Sequence, residues 1–196
     1  MKSFAHPPKV VFILLAILAS AATSRAAIIL TIEEIGPDVK ASYTGTLDTT
    51  DIGFGGATRP ERKRIAPEFG VFEAFSGNSN SFRSTFNNPW NVAPPAFGTG
   101  GFTTADSFSI SSENSLGIES NRVTLSSSFS SGDSLNGSMT FENNTFQTLG
   151  ITPGTYTAEL VSGDTLTINA IPEPSSYGFL LGAVGLATAI FCRRRR

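Results

Sequence analysis

Ala27–Ile35 reads AIILTIEEI, and Val39–Leu47 reads VKASYTGTL. The first run is β-branched and nearly continuous, which favours an extended strand. In the second, Val39, Ala41, Tyr43 and Leu47 alternate with polar partners, the period of a half-buried antiparallel strand. The same period recurs outward from this pair. It appears in Asp106–Ser111 (DSFSIS), at Val123, Leu125, Ser127 and Phe129, and at Leu135, Met139 and Phe141. It returns at Tyr156, Ala158 and Leu160, and at Leu166, Ile168 and Ala170. Phe69–Phe75 and Ser81–Phe86 are weaker versions. No stretch of the body reads as an amphipathic helix, and Thr145–Gly150 reads as one short turn of helix. Gly36-Pro37-Asp38, Ser131-Gly132-Asp133 and Ser162-Gly163-Asp164 supply hairpin turn chemistry, Gly through positive φ and Asp through bonds to its own backbone, and Thr152-Pro153-Gly154 reads as another turn before a strand. About eight or nine short strands at this spacing predict an all-β fold, a β-sandwich or jelly-roll-like antiparallel domain. Gly53–Gly56, Pro60–Pro67 and Asn87–Gly101 are predicted to be long loops.

Composition removes several function classes. The 196 residues suit one domain with appendages. One Cys excludes an intramolecular disulfide and a Cys-rich zinc site. The one His is His6, inside a segment expected to be removed, which excludes an imidazole-based nucleophile or metal site. No cofactor or metal is expected. Residues 27–172 carry seven basic and fifteen acidic side chains, a balance of −8. That charge argues against nucleic acid and against adhesion to anionic lipid.

The two ends read as addresses. Lys2 and Lys9 precede a continuous apolar core, Val10–Ala19, and Ser24-Arg25-Ala26 sets small residues where a signal peptidase cuts. Residues 1–26 are therefore expected to be a signal helix cleaved after Ala26. At the other end stand Pro172, Glu173 and Pro174, then the uncharged run Tyr177–Cys192, then Arg193, Arg194, Arg195 and Arg196. As a helix the sixteen-residue run rises roughly 24 Å. Snorkelling arginines extend that toward the roughly 30 Å of a bilayer core. The arginines stay cytoplasmic, so the body lies outside, where the signal peptide also sends it. The domain plan is thus 1–26 signal peptide, 27–170 exported β-domain and 171–196 sorting tail.

Pro-Glu-Pro, an apolar helix and a terminal arginine cluster, behind a signal peptide, resemble the PEP-CTERM sorting signal of Gram-negative bacteria. The resemblance implies an exosortase-like membrane enzyme as partner, recognition at Pro172, Glu173 and Pro174, transient inner-membrane anchoring, and delivery to the cell surface or the extracellular polysaccharide matrix. Ile171 stands where the family often has Val. The early strand pair, the segment FENNTFQTLGITPGTY (Phe141–Tyr156) and a closing strand pair before the motif also resemble a common class of PEP-CTERM passenger, which implies a small surface domain with no assigned activity. The prolines hold the peptide extended, the form a protease attacks. Glu173, the only charge between Asp164 and Arg193, offers a specificity handle.

For the body, the leading expectation is a non-enzymatic exported domain. The alternative is a carbohydrate-binding module for extracellular polysaccharide, with Trp90 as an exposed stacking platform in a loop and Arg59, Arg62, Lys63 and Arg64 as a patch for acidic chains. A glycan hydrolase using two carboxylates is a further alternative, though no pair stands out by spacing. Asp48 and Asp51 resemble half a calcium loop and read better as a surface turn.

Overall fold

The computed structural model describes residues 26–52, 54–76, 79–84 and 89–173. The expected signal segment before Ala26, Pro174, the apolar run Tyr177–Cys192 and Arg193–Arg196 lie outside these residues. Among the described residues are fourteen strands. They are β1 (Ala27–Ile35), β2 (Asp38–Thr46), β3 (Phe54–Arg59), β4 (Arg62–Ala66), β5 (Val71–Phe75), β6 (Ser79–Ser84) and β7 (Trp90–Val92). Then come β8 (Thr103–Thr104), β9 (Ser107–Ser109), β10 (Leu116–Glu119), β11 (Arg122–Ser126), β12 (Ser134–Phe141), β13 (Gly154–Leu160) and β14 (Thr165–Ile171). One α-helical turn, α1 (Phe146–Leu149), precedes β13. The strands form two seven-stranded sheets, ordered β7-β13-β14-β1-β2-β12-β9 and β3-β6-β11-β10-β5-β4-β8.

The first sheet is built as its alternation demands. Ile28, Leu30 and Ile32 of β1, Val39, Ala41 and Tyr43 of β2, and Leu135, Met139 and Phe141 of β12 are buried, while their neighbours face outward. β14 contributes Leu166, Ile168 and Ala170 to the same face. From the second sheet, Ile65, Phe72, Ala74, Leu116, Ile118, Val123 and Leu125 enter the same cluster. Each of the Val, Leu, Ile, Met and Phe side chains among them contributes about 1.5–3 kcal/mol on burial, and the alanines less. Tyr43 spans the two layers: its ring meets Phe72 edge-on at 5.5 Å, and its hydroxyl donates to the Asn114 carbonyl at 2.6 Å. Burial pushes the Tyr43 phenol well above its ordinary pKa. Opposite it on β12 stands Gly137, where a Cβ would lie 2.5 Å from the Tyr43 hydroxyl. Glycine is what lets the ring lie there.

Punctuation works where it was read, with one exception. Gly36, at φ 61°, and Pro37 join β1 to β2, the residue order of a type II′ hairpin. Ser162-Gly163-Asp164 joins β13 to β14 through a longer turn, with Gly163 at φ 85° and its amide donating to the Leu160 carbonyl at 2.9 Å. Ser131-Gly132-Asp133, however, does not close a hairpin: β11 lies in the second sheet and β12 in the first, so this turn carries the chain between layers. α1 has Thr145 as N-cap in a reciprocal capping box with Thr148, and Gly150 at φ 64° as C-cap.

Three predicted loops contain strands. Gly53–Gly56 runs into β3, Pro60–Pro67 contains β4, and Asn87–Gly101 contains β7. In β4 the charges that read as loop are outward partners of a buried carboxylate on β5. β5 itself hides its period, because Val71, Phe72, Glu73, Ala74 and Phe75 are all buried. The largest departure is at the centre of the first sheet, where β1 and β14 pair in parallel, Ala27 with Thr165 through Glu33 with Ile171. The sheets are therefore rich in antiparallel pairs without being wholly antiparallel.

Candidate functional site

The last strand leads directly into the Pro-Glu-Pro tripeptide. β14 ends at Ile171, opposite Glu33 of β1. Pro172 has no N–H and stops the ladder. Glu173 N–H then donates to Glu34 Oε2 at 3.3 Å, and Glu173 Oε1 accepts from the Gly36 amide at 2.5 Å. Glu34 Oε1 accepts in turn from the Phe146 amide, which opens α1. At the opposite end of the β1–β14 pair, the Ala26 carbonyl accepts from Thr165 N–H at 3.3 Å, so the expected cleavage residue abuts the first residue pair of the sheet.

Elsewhere the structure redistributes the residues singled out from sequence. Trp90 is not a platform. It opens the edge strand β7, is 5% exposed, and donates its indole N–H to the Glu119 carbonyl of the second sheet at 3.1 Å. The indole joins two layers at a sheet edge, and its faces are not open to a sugar ring. The basic cluster also has structural work. Arg62 pairs with Glu73 at 3.0 Å, and Arg64 pairs with the other oxygen of the same carboxylate. Glu73 is 1% exposed, so these two guanidinium groups neutralise a buried charge. Arg64 also lies 4.2 Å from the centre of the Phe102 ring, and Lys63 lies 5.1 Å from that of Phe108. Asp48 behaves as a turn residue. Its Oδ1 accepts from the Thr50 amide and hydroxyl and from the Ser131 hydroxyl, at 2.9, 2.6 and 2.7 Å. The Thr50 hydroxyl, first among these, lowers its carboxyl pKa from 3.8 to about 2. Among the described residues, no group of three or more His, Cys, Asp or Glu side chains could hold a metal ion.

A surface depression of about 470 Å³ lies between the turn Ser112–Asn114 and the β11–β12 connection. Glu113, Asn114, Phe129, Asp133 and Asn136 line it, together with Ser128 and Ser134. Phe129 is half-buried against the core; Glu113, Asp133 and Asn136 are exposed. The sequence hides this convergence, because its three segments are joined only by the fold. One aromatic ring among amides, carboxylates and hydroxyls is a polar-lined site.

Residues 170–196 match the family model of the PEP-CTERM protein-sorting motif. The chain carries a PEP-CTERM sorting motif. No curated protein and no solved structure matches the chain. The PEP-CTERM motif implies an exosortase as partner and export with sorting to the cell envelope. Of the PEP-CTERM residues named from sequence, Pro172 and Glu173 are described and Glu173 bonds to Glu34 and Gly36, whereas Pro174 and Arg193–Arg196 fall outside the described residues. Among the described residues no helix is long and apolar enough to cross a membrane. Sequence reasoning missed Glu34 and Gly36 as neighbours of the PEP-CTERM motif. Their signal was faint: a second carboxylate at the end of an apolar strand, beside a turn glycine, becomes a neighbour only through the parallel β1–β14 pairing.

Proposed function

We propose that the chain is an exported, non-enzymatic β-domain of a Gram-negative bacterium, delivered to the cell surface or extracellular matrix after an exosortase-like enzyme acts at its PEP motif. Signal peptidase removes residues 1–26 after Ala26. The run Tyr177–Cys192 holds the intermediate in the inner membrane, with Arg193–Arg196 on the cytoplasmic side. The observation that carries this reading is the sorting motif matched over residues 170–196, whose Pro-Glu-Pro tripeptide directly follows the last strand of the domain. Mass spectrometry of the protein from its native host is expected to find a mature form lacking both Met1–Ala26 and the arginine-ended tail. An intact C-terminus in the bulk of the protein defeats the processing claim.

A second reading, polysaccharide binding by the domain, is favoured by the depression around Phe129 and no longer by Trp90. Two carboxylates, Glu113 and Asp133, line it and no cation does, so the chains it suits are neutral ones rather than acidic ones. Affinity electrophoresis against a neutral glucan and against alginate separates the cases. Retardation by the glucan that is lost in Phe129→Ala and in Asn136→Ala supports the reading; equal mobility with and without glucan ends it. The same two carboxylates do not favour hydrolysis. Both are exposed, whereas the acid of a glycan hydrolase is kept protonated by burial.

A further inference from the structure

We propose that the β1–β2 turn is a docking site for the chain's own sorting motif, with Glu34 as the positioning residue, and that docking slows processing. The inference rests on the processing reading above. β14 runs parallel to β1 with Ile171 opposite Glu33, so extending the register brings Pro172 level with Glu34 and Glu173 level with Ile35. Prolines on both sides of Glu173 have no N–H. Glu173 therefore carries the one backbone donor of the tripeptide, and that donor is spent on Glu34 Oε2 at 3.3 Å. Its carboxylate, the sole charge between Asp164 and Arg193, is spent on the Gly36 amide at 2.5 Å. Gly36 presents that amide because the turn holds it at φ 61°. The second oxygen of Glu34 is fixed by the Phe146 amide, which sets the orientation of the carboxylate.

An enzyme that reads the tripeptide needs the same two groups of Glu173 that the domain already occupies. Docking and recognition thus compete. Both bonds are exposed and release readily, so the docked state holds back the enzyme by a modest factor rather than blocking it.

The test uses the full chain in its host, followed by pulse-chase. Glu34→Ala is expected to shed the tail about threefold to tenfold faster than the wild type. An equal or slower rate overturns the proposal. Glu34 also contacts α1, so Thr145→Ala serves as the control: it removes the α1 cap without touching Glu173. If Thr145→Ala accelerates processing as much as Glu34→Ala, loosening of the domain is the cause and the proposal falls. Hydrogen exchange at Gly36 in the detergent-solubilised full chain gives a readout that needs no processing enzyme. Faster exchange in Glu173→Ala than in wild type supports docking; identical exchange overturns it. If Gly36 loses protection in Glu173→Ala but no variant is ever processed, docking stands and the processing reading is what fails.

Discussion

Asp48 shows how much one surface carboxylate can organise. It ends the β1–β2 hairpin, collects the Thr50 and Ser131 donors, and its own amide donates to Asp164 Oδ2 at 2.6 Å. Asp48 thereby ties together residues of two Ser-Gly-Asp turns, Ser131 and Asp164. The bonds favour the charged form, so the folded-state pKa lies below the unfolded one. The stability this confers is present in full above about pH 4 and is lost as pH falls toward 2. The thermal midpoints of wild type and Asp48→Asn are therefore expected to differ at pH 6 and to converge between pH 4 and pH 2. Other carboxylates titrate in both proteins and cancel in the difference. A gap that is constant down to pH 2 would assign the stabilisation to hydroxyl geometry rather than to charge. Its role as a turn residue was legible, because Asp-Thr-Thr-Asp lacks the spacing of a calcium loop. Trp90 was not legible: a lone indole between Asn and Pro has the same sequence whether it lies open or bolts two layers together.

The β4–β5 pair sets a charged edge against an apolar middle. Arg64 stands opposite Glu73 in the register, and Arg62 lies two residues away on the same face. Glu73 is 1% exposed while the two arginines are about a third exposed, at 32% and 29%. The two sides of the network are thus unequal. Removing the carboxylate leaves two guanidinium groups that water can reach. Removing both arginines leaves a buried charge without compensation, a loss of about 3–5 kcal/mol. Chemical denaturation of Arg62→Ala/Arg64→Ala is expected to show a larger loss of stability than Glu73→Leu, with similar dependence on denaturant. The reverse order would mean that the strand's packing, not its charge balance, holds it in place. The same asymmetry explains the misreading of the segment. Strands with one buried face announce themselves by alternation, as β2, β12, β13 and β14 do. β4 places arginines on a face that is only half-covered, and β5 is covered on both, so neither alternates in hydrophobicity. β8, at two residues, is too short for any period to register, whereas β9 lies inside the alternating run Asp106–Ser111.

For the whole molecule, the governing contact joins the first strand to the last. β1 pairs at once with β2 through a two-residue turn, but its other neighbour, β14, arrives 130 residues later. Closing such a distant pair is slow, since the entropy of the loop is lost before the contact forms. In refolding of the full chain followed by pulsed hydrogen exchange, β14 amides and the β1 amides that face them are expected to gain protection together, in the last phase. The β1–β2 amides come earlier. Protection of β14 ahead of the hairpin would contradict this order. No sequence pattern states it, because alternation fixes which face of a strand is buried and leaves its neighbours open.

The position of β14 inside its sheet also bears on copies that are never finished. A polypeptide interrupted before residue 165 has β13 and β1 with a vacant slot between them, lined by unpaired amides and carbonyls on both sides. Such a slot accepts an extended segment from any neighbour, as donor-strand exchange does. The residues that fill it in the intact chain leave the ribosome just ahead of the address label. Incomplete cargo is thereby marked as sticky and defective by the very element whose absence deprives it of a destination.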